Sequence, residues 1–204
     1  SPLVKGGKPC FIARCMKKIH PSLLALGLGA GSAFAFDPVG WWPLMLVAFG
    51  GLCGLRGRAS SLRQALLIGW IFGVGQFVVG LNWIATAFTY QAAMPAWLGW
   101  IAVVLLALYL AIYPALAAGV GWKLGKRNRL PLLLALAGAW GVTEWLRAGL
   151  FTDFAWSPVG ATLVSTPLIT LGALVGTYGL SMLVVLLGGA IWLEFHRRWL
   201  PLVL

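Results

Sequence analysis

Acidic side chains are almost missing from this chain: Asp37, Glu144, Asp153 and Glu194 are the whole set in 204 residues. So few carboxylates, so widely spaced, build no carboxylate-rich cation site, and with Lys and Arg they bring the charged fraction to only 9%. Soluble domains carry about a quarter charged residues, so water is excluded as the main solvent of this surface. Cysteine is scarce as well. Cys10, Cys15 and Cys53 lie in or beside basic segments, which places them on the reducing side of a membrane, with no disulfide needed. Cys10 and Cys15 with His20 match no zinc spacing, and no second ligand pair follows, so no metal site is read. No Ser-His-Asp set, P-loop or dinucleotide fingerprint is present. Taken alone, the residues support no catalytic mechanism and no cofactor.

What the chain has in abundance is hydrocarbon: 61% of it is hydrophobic and its mean hydropathy is +0.93. It also has 12 Trp, the side chain whose apolar ring and polar N–H suit a membrane interface. The net charge of +11 would suggest nucleic acid only if the basic residues shared one exposed face. Instead they fall in separate clusters, Lys5 to Lys18, Arg56 to Arg63, Lys123 to Arg129, and Arg197 with Arg198. Long stretches almost free of charge separate them, which is a topology signal and no nucleic-acid patch.

If basic blocks stay in the cytoplasm, an even number of crossings must separate neighbouring blocks. The apolar runs divide at Phe36 to Gly40, at Thr86 to Pro95 and at Leu150 to Thr166. The expected fold is therefore an all-α integral membrane bundle of about six helices, with spans at 19–36, 41–55, 64–85, 96–122, 131–149 and 167–193. That leaves 14 of the 15 Lys and Arg inside and Arg147 alone near the outer face. Residues 1–15 read as a basic tail set apart from the native fold, because Met16-Lys17-Lys18 makes a natural start; residues 16–204 form the helical domain. Pro201 to Leu204 reads as the cut start of a seventh span. A basic region, an apolar run and Ala33-Phe34-Ala35 also mimic a signal peptide with its cleavage site. An uncleaved first span is preferred, because the run from Trp41 to Leu55 needs a partner to keep the count even.

Each acid can be weighed singly. Glu144 and Arg147 stand at i,i+3 and share one helix face near the outer end of the fifth span. They form either a structural salt bridge between helices or a headgroup contact. Asp37 before Pro38 reads as a turn residue, and Glu194 as a solvated helix end. Asp153, among Phe151, Phe154 and Trp156, reads as a loop acid or as a contact for an amine. Aromatic residues crowd the outer loops, with Trp83 and Trp156 among them, which points to lipid or an amphipathic partner at that face. Gly27, Gly29, Gly31, Gly69 and Gly73 allow close helix packing.

The order of several segments resembles the N-terminal membrane domain of bacterial apolipoprotein N-acyltransferases. From about Met16 onward these are Phe34-Ala35-Phe36-Asp37-Pro38 with Trp42-Pro43, Gly80-Leu81-Asn82-Trp83-Ile84, Met94-Pro95, and Leu105 to Tyr113. They continue with Thr143-Glu144-Trp145-Leu146-Arg147, Phe151 to Trp156, and Gly176-Thr177-Tyr178-Gly179-Leu180-Ser181. The chain departs where the family usually reads Thr-Gly-Phe-Pro-Trp, having Thr152-Asp153-Phe154-Ala155-Trp156, and Tyr-Ser-Gln is absent around Val159 to Thr162. The resemblance implies an enzyme of the bacterial inner membrane, its N-terminus cytoplasmic. It would move an acyl chain from a phospholipid to the N-terminal diacylglyceryl-cysteine of a lipoprotein. Its partners would be the phospholipid donor, the diacylated apolipoprotein and membrane lipids, with no cofactor.

In the family a Cys nucleophile with a Glu base and a Lys sits in a nitrilase-like domain, which fits a thioester mechanism. No residue here carries over to those roles, so this chain holds no catalytic residue and alone is expected to be inactive. Its implied role is to anchor the enzyme and to supply a lipid-facing cleft, with Glu144, Arg147, Trp83 and Trp156 as candidate lining or supporting residues. Two other readings stay open. A small transporter would need polar groups at the bilayer midplane, where Gln76 is the main one; a non-catalytic membrane scaffold fits the sequence equally well.

Overall fold

The computed structural model describes residues 20–90, 95–125, 129–150 and 154–198, and these are helical throughout apart from turns. The N-terminal tail, Asp153 and the stretch from Pro201 lie outside the described residues. Helix α1 (Pro21–Ser32) ends in a 3-10 turn, Ala33–Ala35; α2 runs Pro43–Gly57, α3 Leu62–Gly80 and the short α4 Asn82–Phe88. Helices α5 (Ala96–Leu110) and α6 (Ile112–Leu124) follow almost end to end, then α7 (Arg129–Gly149). Two 3-10 segments, Val159–Leu163 and Pro167–Leu171, lead into α8 (Gly172–Arg198).

Local sequence sets the helix starts. Pro21 and Pro43 stand in the first turns of α1 and α2, where a missing N–H costs nothing. Ser61 caps α3 by accepting from the Gln64 amide at 3.3 Å, while the Gln64 side chain accepts from the Ser60 amide at 2.8 Å, a near relative of the capping box. The expected span 64–85 is interrupted, since α3 stops at Gly80 and the chain re-enters a helix at Asn82. Inside α8, Gly176 has φ 69° and ψ 175°, a region essentially restricted to glycine, and it kinks the helix.

Among the described residues, three stretches are long and apolar enough to cross a bilayer: Leu62–Gly80, Trp97–Leu124 and Pro167–Phe195. Pro21–Ala35 and Pro43–Gly57 are apolar but shorter than a full span. The bundle is held by close backbone approach. A Cβ on Gly29 of α1 would fall on the Phe72 carbonyl of α3, and one on Gly75 of α3 would fall on the Leu26 carbonyl of α1. The same close approach joins α8 to α2, where a Cβ on Gly188 would lie 2.7 Å from the Leu46 carbonyl, and α3 to α6, where one on Gly69 would lie 2.6 Å from the Pro114 carbonyl. Phe49, Phe72 and Trp140, all fully or almost fully buried, join α2, α3 and α7 through ring contacts, with Phe49 and Trp140 edge to face at 4.7 Å.

The two ends of the bundle differ. At one end the turn after α1 meets the segment before α8, where Ser165 Oγ donates to Asp37 Oδ1 at 3.3 Å. At the other, Trp122 Nε1 donates to the Ala59 carbonyl at 2.9 Å, joining the loop after α2 to the end of α6. This second end carries Arg56, Arg58, Arg63 and Lys123. Arg56 is fully buried there, its guanidinium against Gly121, and its nitrogens make no hydrogen bond among the described residues.

Candidate functional site: a cleft at the acidic end of the bundle

A cleft of about 560 Å³ opens at the end of the bundle that holds Asp37. Three separate stretches of chain form it. The turn after α1 supplies Phe34, Phe36 and Asp37, the end of α3 and start of α4 supply Gln76, Phe77 and Trp83, and the loop before α8 supplies Ser157, Ala161 and Val164. Trp83 is 54% exposed on its rim. Gln76 is only 2% exposed, and its Oε1 has no hydrogen-bond partner among the described residues. The cleft thus combines aromatic walls, a carboxylate at the mouth and an unused amide oxygen deep inside.

Glu144 and Arg147 lie behind this cleft and line none of it. Both are almost fully buried, at 2% and 3% exposure, on the last turns of α7, with Arg147 Nη2 3.5 Å from Glu144 Oε1. The same oxygen accepts from Trp140 Nε1 at 3.0 Å and from the Val159 amide at 2.9 Å. One carboxylate therefore ties α7 to the 3-10 segment Val159–Leu163, whose Ala161, with the flanking Ser157 and Val164, forms one wall of the cleft. On the same segment the Gly160 amide donates to Ser181 Oγ of α8 at 2.8 Å. The Arg147 guanidinium carbon lies 5.1 Å from the centroid of the Phe77 ring, a cation–π distance, and Phe77 itself lines the cleft. The pair thus holds two walls from behind.

Of the four candidates, then, Trp83 borders the cleft, and Glu144 with Arg147 supports it. Trp156 does neither directly: it is half-buried against the cluster of Phe77, Leu81, Ala85, Val103, Ala107 and Leu110, with the Phe154 ring edge-on to it at 4.7 Å. Sequence reasoning missed Trp140 and Phe77. An i,i+4 relation to Glu144 was the available signal for Trp140; Phe77 had none, being one aromatic in an apolar run. Asp37 is a turn residue as expected from the following Pro38, and it also forms part of the cleft wall. Gln76, the main polar residue deep in a span, lines the cleft.

Comparison with known proteins places this arrangement. Residues 28–190 match the family model "Apolipoprotein N-acyltransferase N-terminal domain". Among similar proteins named apolipoprotein N-acyltransferase, that of Ralstonia nicotianae is 36% identical over 182 residues, which is 87% of this chain and 35% of the relative. That of Allorhizobium ampelinum is 36% identical over 190 residues, 87% of this chain and 35% of its own. That of Shewanella oneidensis is 32% identical over 186 residues, 89% and 36% respectively. The chain spans about a third of the length of these relatives. A match that runs through every helix bordering the cleft makes this chain a member of the apolipoprotein N-acyltransferase family, in its N-terminal domain.

Proposed function

We propose that this chain is the membrane domain of an enzyme that transfers an acyl chain from a phospholipid to the N-terminal diacylglyceryl-cysteine of a lipoprotein. It sits in the bacterial inner membrane with six crossings and its N-terminus in the cytoplasm. The domain anchors the enzyme and presents lipid through the cleft; the residues here take no covalent part in the reaction. The observation that carries the reading is the cleft itself, an aromatic-walled opening beside the rim residue Trp83, with one carboxylate at its mouth. Hydrocarbon walls suit acyl chains, and a polar mouth suits the headgroup or amine end of an amphipathic substrate.

The test uses the whole product of the gene, in membranes, with a diacylated lipopeptide and phospholipid. Phospholipid-dependent acylation of the peptide's amino group is expected. Ala161→Phe, which fills the cleft from its wall, should raise KM for the lipopeptide or the donor at unchanged protein level. Intact, well-expressed protein with no acylation would leave only a membrane scaffold.

A further inference from the structure

A second groove, of about 380 Å³, lies between α1, α2 and α8 toward the basic end. Its floor is glycine: a side chain at Gly51 would strike Leu28 of α1, and a Cβ on Gly54 would stand 3.0 Å from Trp192 Nε1 of α8. Its walls are hydrocarbon and indole, with Phe195 at one side, and the charged group that lines it is exposed Arg58. From Leu46 to Arg58 the groove follows α2 for about 18 Å, close to the roughly 15 Å of hydrocarbon in one leaflet. Charge and length agree. A guanidinium at the mouth of a leaflet-deep apolar slot matches a phosphate on top of an acyl chain.

We propose that this groove holds one anionic phospholipid of the leaflet on the basic side, its acyl chain along Gly51 and Gly54 and its phosphate on Arg58. The surroundings favour an anion. Arg63 and Lys123 are exposed at the same end, and the acid of this end among the described residues is Glu194 near the end of α8. The lipid is bound at the opposite end of the bundle from the cleft, so it is no substrate of the cleft. Beneath the groove α2 and α8 already touch, a Cβ on Gly50 standing 3.1 Å from the Gly188 carbonyl, so the lipid lies over a closed floor.

The experiment reconstitutes the whole gene product in nanodiscs of dioleoyl phosphatidylcholine with dioleoyl phosphatidylglycerol, extracts it gently and counts retained lipids by native mass spectrometry. Expected is one retained phosphatidylglycerol per chain in preference to phosphatidylcholine. Arg58→Gln should cut that preference about tenfold, the scale of a charge-assisted hydrogen bond. Ile191→Trp, at an exposed position on the groove wall, should remove retention of either lipid, while Lys123→Gln should leave the preference intact. Equal retention of the two lipids, or no retained lipid, overturns the proposal. So does an equal loss in Lys123→Gln, which would mark a diffuse attraction of the basic end, or a groove covered by another stretch of the full-length protein. Acylation activity is a separate readout, so failure here leaves the function proposed above standing.

Discussion

Glu144 illustrates how much a single buried carboxylate can organise in an apolar chain. Its Oε1 accepts from the Trp140 indole, the Val159 amide and, at longer range, Arg147. Inside a low-dielectric bundle, a partner left charged and alone costs more than the pair contributes. Glu144→Gln keeps an acceptor for Trp140 and Val159 but strands Arg147. It should destabilise the protein by about 3 kcal/mol, read as a fall in Tm of roughly 6 °C or more. Arg147→Met should do the same by stranding Glu144. The double variant should lose clearly less than the sum of the two, because it removes both charges at once. Additive losses in a thermal-shift series would show that the two residues act independently.

At the scale of helices, the packing depends on which glycines face a neighbour. Gly27, Gly29 and Gly31 look alike in the sequence, yet a Cβ on Gly27 or Gly31 meets nothing within 4 Å, whereas one on Gly29 meets the backbone of α3. Gly29→Ala should therefore force α1 and α3 apart at a cost of about 1–3 kcal/mol. Gly27→Ala should be neutral or slightly stabilising through helix propensity. Equal effects in denaturation of the two variants would contradict the packing described. The kink at Gly176 makes a second claim. With φ at 69°, Gly176→Ala costs about 1–3 kcal/mol, which favours opening or straightening of α8 where Thr177 and Ser181 meet Gly160. The amide of Gly160 should then exchange its hydrogen faster than in the wild type, and unchanged protection would count against the kink.

The whole molecule is organised by its two unlike ends. Asp37 and Ser165 meet at one, and Ala59 and Trp122 at the other. Single cysteines placed at Asp37 and Ser165, in a background with the native cysteines removed, should react with a membrane-impermeant maleimide in intact cells. One placed at Ala59 should react only after the membrane is opened. Labelling of all three from the same side would refute the crossing pattern proposed. The candidate site belongs to this scale too, since its walls come from residues 33–39, 76–83 and 157–164, and no one segment contains it.

Composition alone was enough to choose the solvent, because so few charges and so much hydrocarbon suit only a bilayer. The clustering of Lys and Arg marked that the turn after α2 and the end of α6 share an end, and the order of short motifs was enough to suggest the family. Glu144 and Arg147 were legible for a related reason: in a nearly chargeless span any ionisable pair stands out. Trp83 stood out as an outer aromatic, but nothing local separated it from Trp156, which packs elsewhere. Only the tertiary structure decided that Phe77 takes Arg147 on its ring, that Glu144 reaches Val159 across 15 positions, and that Asp37 and Gln76 share a cleft. In an apolar chain most positions carry the same hydrophobic signal. Which of them face a neighbour depends on how closely backbones approach at particular glycines, and that is settled only when the helices pack.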